Sequence, residues 1–268
     1  MKRDFFLGGT LLLIVLLGCL APAWGRQDSA SPEEPPGPGA AAFARGQNLQ
    51  DRGKNEEAAK AFQEALRARP DWPEAHLQRG LALAALGRYE EAAAAFAQAA
   101  RLAPQWGAAQ ENLGAAQSKL GRWSEARAAF AAAVALHPTN AEAHYHLGLA
   151  LGKLGNDQAA REEFAQAVRL DPSLAKAHKN LGLAYANLGR WPEAGAALQE
   201  AVRLRPEDPE AHYALCAYYL RVGDRQAALK EYQTLQRLDQ RLARQLANLL
   251  EGKGASPAPA PGAGKKGP

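Results

Sequence analysis

The chain has 268 residues, of which 47% are apolar and 22% are charged, and its formal net charge is +4 at pH 7. Charges of both signs are intermixed along the chain, which is typical of a solvated protein surface rather than of a nucleic-acid-binding face. β-Branched residues are few and alanine is abundant, so the composition indicates an all-helical protein and excludes a sheet domain.

The first 25 residues have the features of a targeting segment or membrane anchor. Lys2 and Arg3 precede an uncharged run over residues 5–25, and the apolar centre of that run is at residues 11–17. We expect this segment to place the rest of the chain outside the cytoplasm, on the periplasmic side of a bacterial envelope. Removal of residues 1–23 would take away two positive charges and one negative charge, which leaves a net charge of +3.

Three fates of this segment are consistent with its residues. The run Leu-Leu-Gly-Cys at 16–19 resembles a bacterial lipobox, which implies lipidation of Cys19 as the new amino terminus. Small residues at 21–23 also indicate a cleavage site after Ala23. An uncleaved anchor is the third fate, because about twenty apolar residues can span a bilayer.

Residues 26–38 are rich in proline, glycine, serine and glutamate, and we expect them to form a linker. The main body of the chain then follows a period of 34 residues. Proline recurs at Pro70, Pro104, Pro138, Pro172 and Pro206. Glycine recurs at Gly53, Gly87, Gly121, Gly155, Gly189 and Gly223, and alanine at Ala58, Ala92, Ala126, Ala160, Ala194 and Ala228. Each period contains two runs of helical spacing, which predicts a repeated helix-turn-helix unit.

These series resemble the tetratricopeptide repeat, which has small residues at positions 8, 20 and 27 and proline at position 32 of each unit. The resemblance implies an all-α, right-handed superhelical solenoid. In this register the six predicted repeats are 39–72, 73–106, 107–140, 141–174, 175–208 and 209–242. Small residues at positions 8 and 20 let two helix backbones approach closely, and we expect position 24 to fill the gap beside them. That position carries Phe62, Phe96, Phe130, Phe164, Leu198 and Tyr232.

The last unit departs from the pattern, with Cys216 at position 8, Leu235 at position 27 and Gln240 in place of proline. We expect its second helix to run on to about residue 252 and to cover the open end of the stack as a capping helix. The leucines of this stretch are Leu242, Leu246, Leu249 and Leu250. Residues 253–268 form a Pro/Ala/Gly-rich tail, which we expect to be disordered.

The sequence contains no recognisable catalytic motif. A phosphate-binding glycine loop, a nucleophile elbow, a paired-histidine zinc motif and a cysteine with a histidine base are all absent from it. Neither flank of the repeats is long enough for a separate catalytic domain. We therefore expect a protein that is not an enzyme and has no cofactor and no small-molecule substrate.

Histidine recurs at position 4, at His76, His144, His178 and His212. Equivalent helices of successive units lie about 10 Å apart, which is too far for their side chains to share one zinc ion. We therefore expect no metal site, and we expect these histidines to pack between units.

The family resemblance implies that positions 2, 5, 6, 9, 12 and 13 of the first helices line a concave groove for an extended peptide or a partner helix. Position 6 carries Gln78, Asn112, His146 and Asn180, which can donate and accept hydrogen bonds with any peptide backbone. The carboxyl-terminal half adds aromatic and basic side chains, which predict a preference for an acidic or carboxylate-ended segment. These residues are Tyr145, Lys153, Lys179, Tyr213 and Arg221.

The sequence thus predicts a non-catalytic docking scaffold of the cell envelope, with a protein or peptide partner, a membrane attachment at its amino terminus and no nucleic-acid partner. Two alternatives remain open. The chain also resembles pilotin-type lipoproteins and envelope adaptors that recruit cell-wall hydrolases. It could equally be a structural spacer or a self-associating array, and the sequence leaves the oligomeric state open.

Overall fold

The computed structural model of this protein describes residue 37 and residues 39–250. The predicted targeting segment with Cys19 and Ala23, and the predicted tail at 253–268, lie outside the described residues. Thirteen α-helices and no strands lie within the described part. They are α1 (Ala40–Asp51), α2 (Asn55–Ala68), α3 (Pro73–Ala85), α4 (Tyr89–Leu102), α5 (Gly107–Lys119), α6 (Trp123–Leu136), α7 (Ala141–Lys153), α8 (Asp157–Leu170), α9 (Ala175–Asn187), α10 (Trp191–Leu204), α11 (Pro209–Val222), α12 (Arg225–Leu238) and α13 (Gln240–Leu250). Among these helices, none is both long enough and apolar enough to cross a membrane.

Each odd-numbered helix up to α11 is joined to the next helix by a tight turn that contains glycine. The glycines at these turns have φ between +72° and +85°. This left-handed conformation carries a steric cost for any residue with a Cβ. No atom lies close to the place where a Cβ would sit, so the backbone conformation alone requires glycine here.

The two helices of a pair approach closely through glycine on the first helix and an aromatic or leucine side chain on the second. A Cβ built on Gly114 would lie 2.8 Å from Cδ1 of the Phe130 ring, and one on Gly80 would lie 2.5 Å from Cε1 of Phe96. The Phe96 side chain is completely enclosed in this position. The predicted role of positions 8 and 24 is therefore confirmed in the five pairs that have glycine at position 8.

The recurring histidines connect successive pairs. In each case Nε2 lies within hydrogen-bonding distance of the proline carbonyl oxygen six residues earlier, at 2.8 Å for His76, 3.0 Å for His144, 3.0 Å for His178 and 2.8 Å for His212. A carbonyl oxygen can only accept, so Nε2 carries the hydrogen and donates it. The proline and histidine series thus hold the turn between one pair and the next, as the packing interpretation predicts. The described residues contain no cluster of three or more His, Cys, Asp or Glu side chains able to bind a metal ion.

The carboxyl-terminal end of the described solenoid is covered by α13, but the expectation that α12 continues into it is wrong. Asp239 is extended, with φ −151° and ψ 101°, and ends α12 at Leu238. Its carboxylate accepts hydrogen bonds from the backbone N–H of Arg241 at 2.8 Å and of Leu242 at 3.0 Å. An aspartate that caps a new helix in this way separates two helices that hydrophobic spacing alone would join.

Cys216 is buried in the cluster that α13 completes. It packs with Ala228, Leu235 and Leu246, and its Sγ lies 3.3 Å from the carbonyl oxygen of Ala228. Burial raises the pKa of the Cys216 thiol to about 12. The reactive thiolate is therefore scarce at neutral pH, and Cys216 serves as a small core residue.

The curvature of the stack follows from which helices touch. Most successive odd-numbered helices contact each other, namely α1 with α3, α3 with α5, α7 with α9 and α9 with α11, in addition to their contacts with the helix between them. Within the described residues, no two successive even-numbered helices make more than a marginal contact. The odd-numbered helices therefore lie on the inside of the curve.

We expect Gly114→Leu to lower the free energy of unfolding by about 1–3 kcal/mol, because the new side chain must displace the Phe130 ring. Gly152→Ala is the matched control, since its Cβ would meet only the Ala160 Cβ, at an ordinary 3.8 Å. That change should stabilise α7 by about 0.5–1 kcal/mol. Urea unfolding followed by circular dichroism measures both changes, and a neutral Gly114→Leu would contradict this account of the pair.

Candidate functional site

We use the term inner face for the side of the odd-numbered helices that lines the inside of the curve. Its side chains connect neighbouring helices directly. Asn180 on α9 reaches toward Tyr145 on α7, and Lys179 on α9 pairs with Glu210 on α11. These contacts place positions 2, 5 and 6 of successive units side by side, as the family resemblance implies. Gln78 occupies the corresponding place on α3 and is half-buried.

The asparagines at position 6 are fixed by their own helices. Asn112 Nδ2 donates to the carbonyl oxygen of Ala108 at 2.8 Å, and Asn180 Nδ2 donates to that of Lys176 at 2.9 Å. Each amide therefore turns its nitrogen toward its own helix. The oxygen is the group left to accept a hydrogen bond from the backbone N–H of a partner.

His146 lies between these two asparagines and is a neutral group at physiological pH. Its ring stacks on Phe130, with centroids 5.3 Å apart and an angle of 25° between the planes. Burial, with a further contribution from the nearby Lys176 charge, lowers the pKa of His146 to about 4. The imidazole is thus uncharged and held in one orientation by stacking.

Tyr145 forms the aromatic centre of the inner face. Its ring packs against Phe164 at 5.9 Å between centroids, and the Lys176 ammonium lies 4.6 Å from its centroid. Burial raises the pKa of the Tyr145 phenol, and the charges of Glu142, Glu210 and Asp208 raise it further. The phenol therefore stays protonated, and the carboxylates contribute a negative potential around it.

The lysines of this region are paired with carboxylates. Lys179 has a side chain only 12% exposed, and its Nζ lies 2.6 Å from Glu210 and 3.4 Å from Asp208. Lys176 Nζ lies 2.6 Å from Glu142. The positive charge expected of Lys179 from the sequence is therefore compensated within the fold.

Glu111 adds a further carboxylate on α5. It accepts a hydrogen bond from Asn140 Nδ2 at 2.8 Å, and burial raises its pKa. Four carboxylates thus accompany two ammonium groups along the amino-terminal turns of α5, α7, α9 and α11. We call this strip the acidic edge, and its residues are Glu111, Glu142, Lys176, Lys179, Asp208 and Glu210. The sequence predicted a basic carboxyl-terminal half of the inner face, but along the acidic edge the carboxylates outnumber the ammonium groups.

The predicted basic residues Lys153 and Arg221 lie at the opposite edge, in the last turns of α7 and α11. Lys153 lies about 12 Å further along α7 than Tyr145, at 1.5 Å per residue. Its Nζ is 5.8 Å from the Trp123 ring centroid, and the Arg221 guanidinium is 5.0 Å from that of Trp191. Each cation thus packs over the first residue of the preceding even-numbered helix.

Tyr213 has a different environment from that of the other predicted residues. It packs against the buried cluster formed by α11, α12 and α13, and burial raises its pKa.

Of the residues predicted to bind a partner, the structure brings Asn112, Tyr145, His146, Lys179 and Asn180 together at the centre of the inner face. Gln78 and Tyr213 lie toward its two ends.

Sequence reasoning missed four residues of the acidic edge: Glu142, Lys176, Asp208 and Glu210. For three of them the signal was present at position 2, where Glu142, Lys176 and Glu210 alternate in charge at intervals of 34 residues. In a stack of repeats, equivalent positions of neighbouring units are close, so this alternation indicates ion pairs between units.

A family model described as tetratricopeptide repeat matches residues 43–105, 112–175, 150–209 and 179–243. Among solved structures, MamA (residues 41 to the end) from Desulfovibrio magneticus RS-1 is 29% identical, with 63% of this chain and 96% of that chain covered and a TM-score of 0.60. TTC0263, a thermophilic protein of the same repeat class from Thermus thermophilus, is 30% identical, with coverage of 67% and 100% and a TM-score of 0.54.

The structure of PilF from Pseudomonas aeruginosa has a TM-score of 0.66, with 81% of this chain and 97% of that chain covered. Its sequence identity is 16%, so this likeness concerns the fold alone. No curated protein matches the chain by sequence.

Proposed function

Because this chain belongs to the tetratricopeptide repeat family, whose members are generally non-catalytic protein-interaction scaffolds, we propose that its inner face binds a segment of a partner protein. The observation that carries the proposal is the row of fixed polar groups at Asn112, His146 and Asn180. Two of these groups are oriented by hydrogen bonds to their own helices and the third by ring stacking. Groups held in this way lose little side-chain freedom on binding.

The spacing of the row suits an extended segment. Neighbouring helices lie about 10 Å apart, and an extended chain advances about 3.3 Å per residue. Successive groups of the row therefore meet backbone amides about three residues apart. Hydrogen bonds to the backbone provide affinity that depends little on the partner's sequence, so side-chain preference arises from the flanking surfaces.

The acidic edge supports a cationic rather than an acidic partner segment. Its carboxylates outnumber its ammonium groups, and Lys179 is already paired with Glu210 and Asp208. Half-buried charges are screened by salt less than fully exposed ones. Lysine or arginine side chains that follow this edge gain favourable electrostatic contacts, whereas an acidic segment would meet like charges.

We also propose that the scaffold acts outside the cytoplasm, attached to the envelope membrane through its amino terminus. The basic residues Lys2 and Arg3, the uncharged run over 5–25 and the lipobox-like sequence that ends at Cys19 support this location. In this arrangement the linker at 26–38 separates the repeats from the membrane surface.

Photo-crosslinking in cells tests whether the inner face binds a partner. A probe at Gln78 is placed on the inner face of α3, where it disturbs neither asparagine hydrogen bond. A matched probe at Ala94 lies on the exposed side of α4. We expect a protein product found only with the Gln78 probe, identified by mass spectrometry.

Two controls complete this experiment. Asn112→Ala with Asn180→Ala should strongly reduce the Gln78 product and leave the helical circular dichroism and the melting temperature nearly unchanged, since the carbonyls involved keep their helical partners. Identical products from both probes, or crosslinks only between copies of the chain, would refute the proposal and favour a spacer or a self-associating array.

The charge preference is measured with two fluorescein-labelled glycine-serine peptides that carry lysine or glutamate at every third position. At low salt we expect the lysine peptide to bind about tenfold more tightly by fluorescence anisotropy, with a difference that shrinks as salt is added. Glu111→Gln with Glu142→Gln should reduce the difference in affinity between the two peptides. Glu125→Gln, on the exposed side of α6, should leave that difference unchanged. Tighter binding of the glutamate peptide would instead support the acidic preference expected from the sequence.

The intact mass of the mature chain, measured in both the membrane and the soluble fractions, distinguishes the three fates of the amino terminus. Lipidation gives a chain that begins at Cys19 with added acyl mass. Cleavage after Ala23 gives an unmodified chain that begins at Trp24, and an anchor keeps Lys2 and Arg3. A chain recovered entirely from the soluble fraction, whether full-length or beginning at Trp24, would contradict membrane attachment.

A further inference from the structure

Two of the four recurring histidines are held at both ring nitrogens. His144 Nδ1 lies 2.6 Å from Glu163 Oε2, and its Nε2 lies 3.0 Å from the carbonyl oxygen of Pro138. His212 repeats this arrangement, with 2.6 Å to Glu231 and 2.8 Å to the carbonyl oxygen of Pro206. We call these two arrangements the histidine clasps, and they tie α7 to α8 and α11 to α12.

The geometry of each clasp fixes its protons. The proline carbonyl can only accept, so Nε2 of the histidine must carry a hydrogen. A neutral ring with hydrogen on Nε2 would turn the lone pair of Nδ1 toward an ionised carboxylate at 2.6 Å, which is repulsive. The geometry of a clasp is therefore favourable only when an additional proton is shared by the histidine and the glutamate. A neutral histidine beside an ionised glutamate lacks that proton.

The surroundings favour that proton in the His212 clasp. Glu231 faces the ring from α12, Asp208 lies before α11, and the Pro206 carbonyl faces it from the turn after α10. The hydrogen bond with Glu231 is the largest cause of a raised His212 pKa, although burial acts in the opposite direction. In the other clasp, Glu163 faces His144 from α8, and the Pro138 carbonyl faces it from the turn after α6. Both histidine side chains are only 7% exposed, so salt screens these contacts weakly.

We propose that the His212 clasp makes the carboxyl-terminal end of the solenoid pH-sensitive: the protonated clasp holds α11 to α12, and loss of its proton releases this contact. An unfolded histidine titrates near pH 6.5. Because the folded pKa of His212 is raised, the stabilisation is fully present below about pH 6.5 and is lost as the pH rises through the folded pKa.

The clasps are connected to the inner face, although the pH dependence does not require a bound partner. Asp208, which contributes to the charge around His212, also caps α11 and contacts Lys179 in the acidic edge. The clasped helix α7 carries Tyr145 and His146. Loss of the His212 proton should therefore loosen the part of the inner face that contains Asp208 and Glu210 of the acidic edge.

The chain supplies its own comparison in the other two histidines. His76 and His178 keep the bond to a proline carbonyl, but alanine stands nineteen residues later, at Ala95 and Ala197, where the clasps have glutamate. His76 Nδ1 is buried and has no hydrogen-bond partner. The α3–α4 pair thus has the same fold without a clasp.

The test replaces both glutamates, Glu163→Gln with Glu231→Gln, in the full chain. A glutamine amide can donate to Nδ1 of a neutral histidine, so the contact persists without the additional proton. We expect the melting temperature of the natural chain to decrease as the pH is raised from about 6 to about 9. In the double variant the melting temperature should decrease much less over the same range. Glu125→Gln, which removes an exposed carboxylate on α6, should leave the pH dependence unchanged.

Two local measurements assign the effect to the clasps. In the natural chain the NMR titration midpoint of His212 should lie above the ordinary histidine value, and Glu231→Gln should lower it. After correction for intrinsic exchange, hydrogen-exchange protection of α11 and α12 should fall as the pH is raised, while that of α3 and α4 should not. A double variant with an undiminished pH dependence, or a His212 midpoint at or below the ordinary value, would overturn the proposal.

Discussion

The architecture depends on the close approach of two helices within each pair. Where glycine stands at Gly80 or Gly114, the ring of Phe96 or Phe130 occupies the space that a Cβ would need. This contact brings the backbones together and sets the geometry of the helix-turn-helix unit. Because the unit recurs with the same contact, the pairs stack regularly, and the small rotation between them curves the stack with odd-numbered helices inside.

Contacts between units follow a different principle from contacts within them. Inside a pair the closest contact, between positions 8 and 24, is apolar and nearly invariant along the chain, and the histidine clasps add polar contacts in two pairs. Between pairs it includes the recurring bond from histidine to a proline carbonyl, as at His178 and Pro172, and ion pairs such as Lys176 with Glu142, which change from one unit to the next. The periodic residues therefore fix the scaffold, and the residues that vary give each part of the inner face its own charge.

The inner face is organised by the direction of its helices. The acidic edge follows their amino-terminal turns, while Lys153 and Arg221 lie at their carboxyl-terminal turns, so that the carboxylates of the first and the cations of the second suit the local helix dipole. A partner segment bound as proposed would meet a negative strip on one side of the row of asparagines and a basic one on the other. This asymmetry would provide orientation as well as affinity.

The 34-residue period by itself determined the helical class, the paired helices, the glycine turns and the buried contact between positions 8 and 24, because packing repeats whenever the same unit is stacked. It also placed Asn112, His146 and Asn180 in one row. Only the tertiary structure decided that Lys179 is neutralised by Asp208 and Glu210, that Tyr213 packs toward α13, and that Asp239 starts a new helix. Charge and burial at these places depend on which side chains of neighbouring units meet, and that pairing is a property of the folded stack rather than of any single repeat.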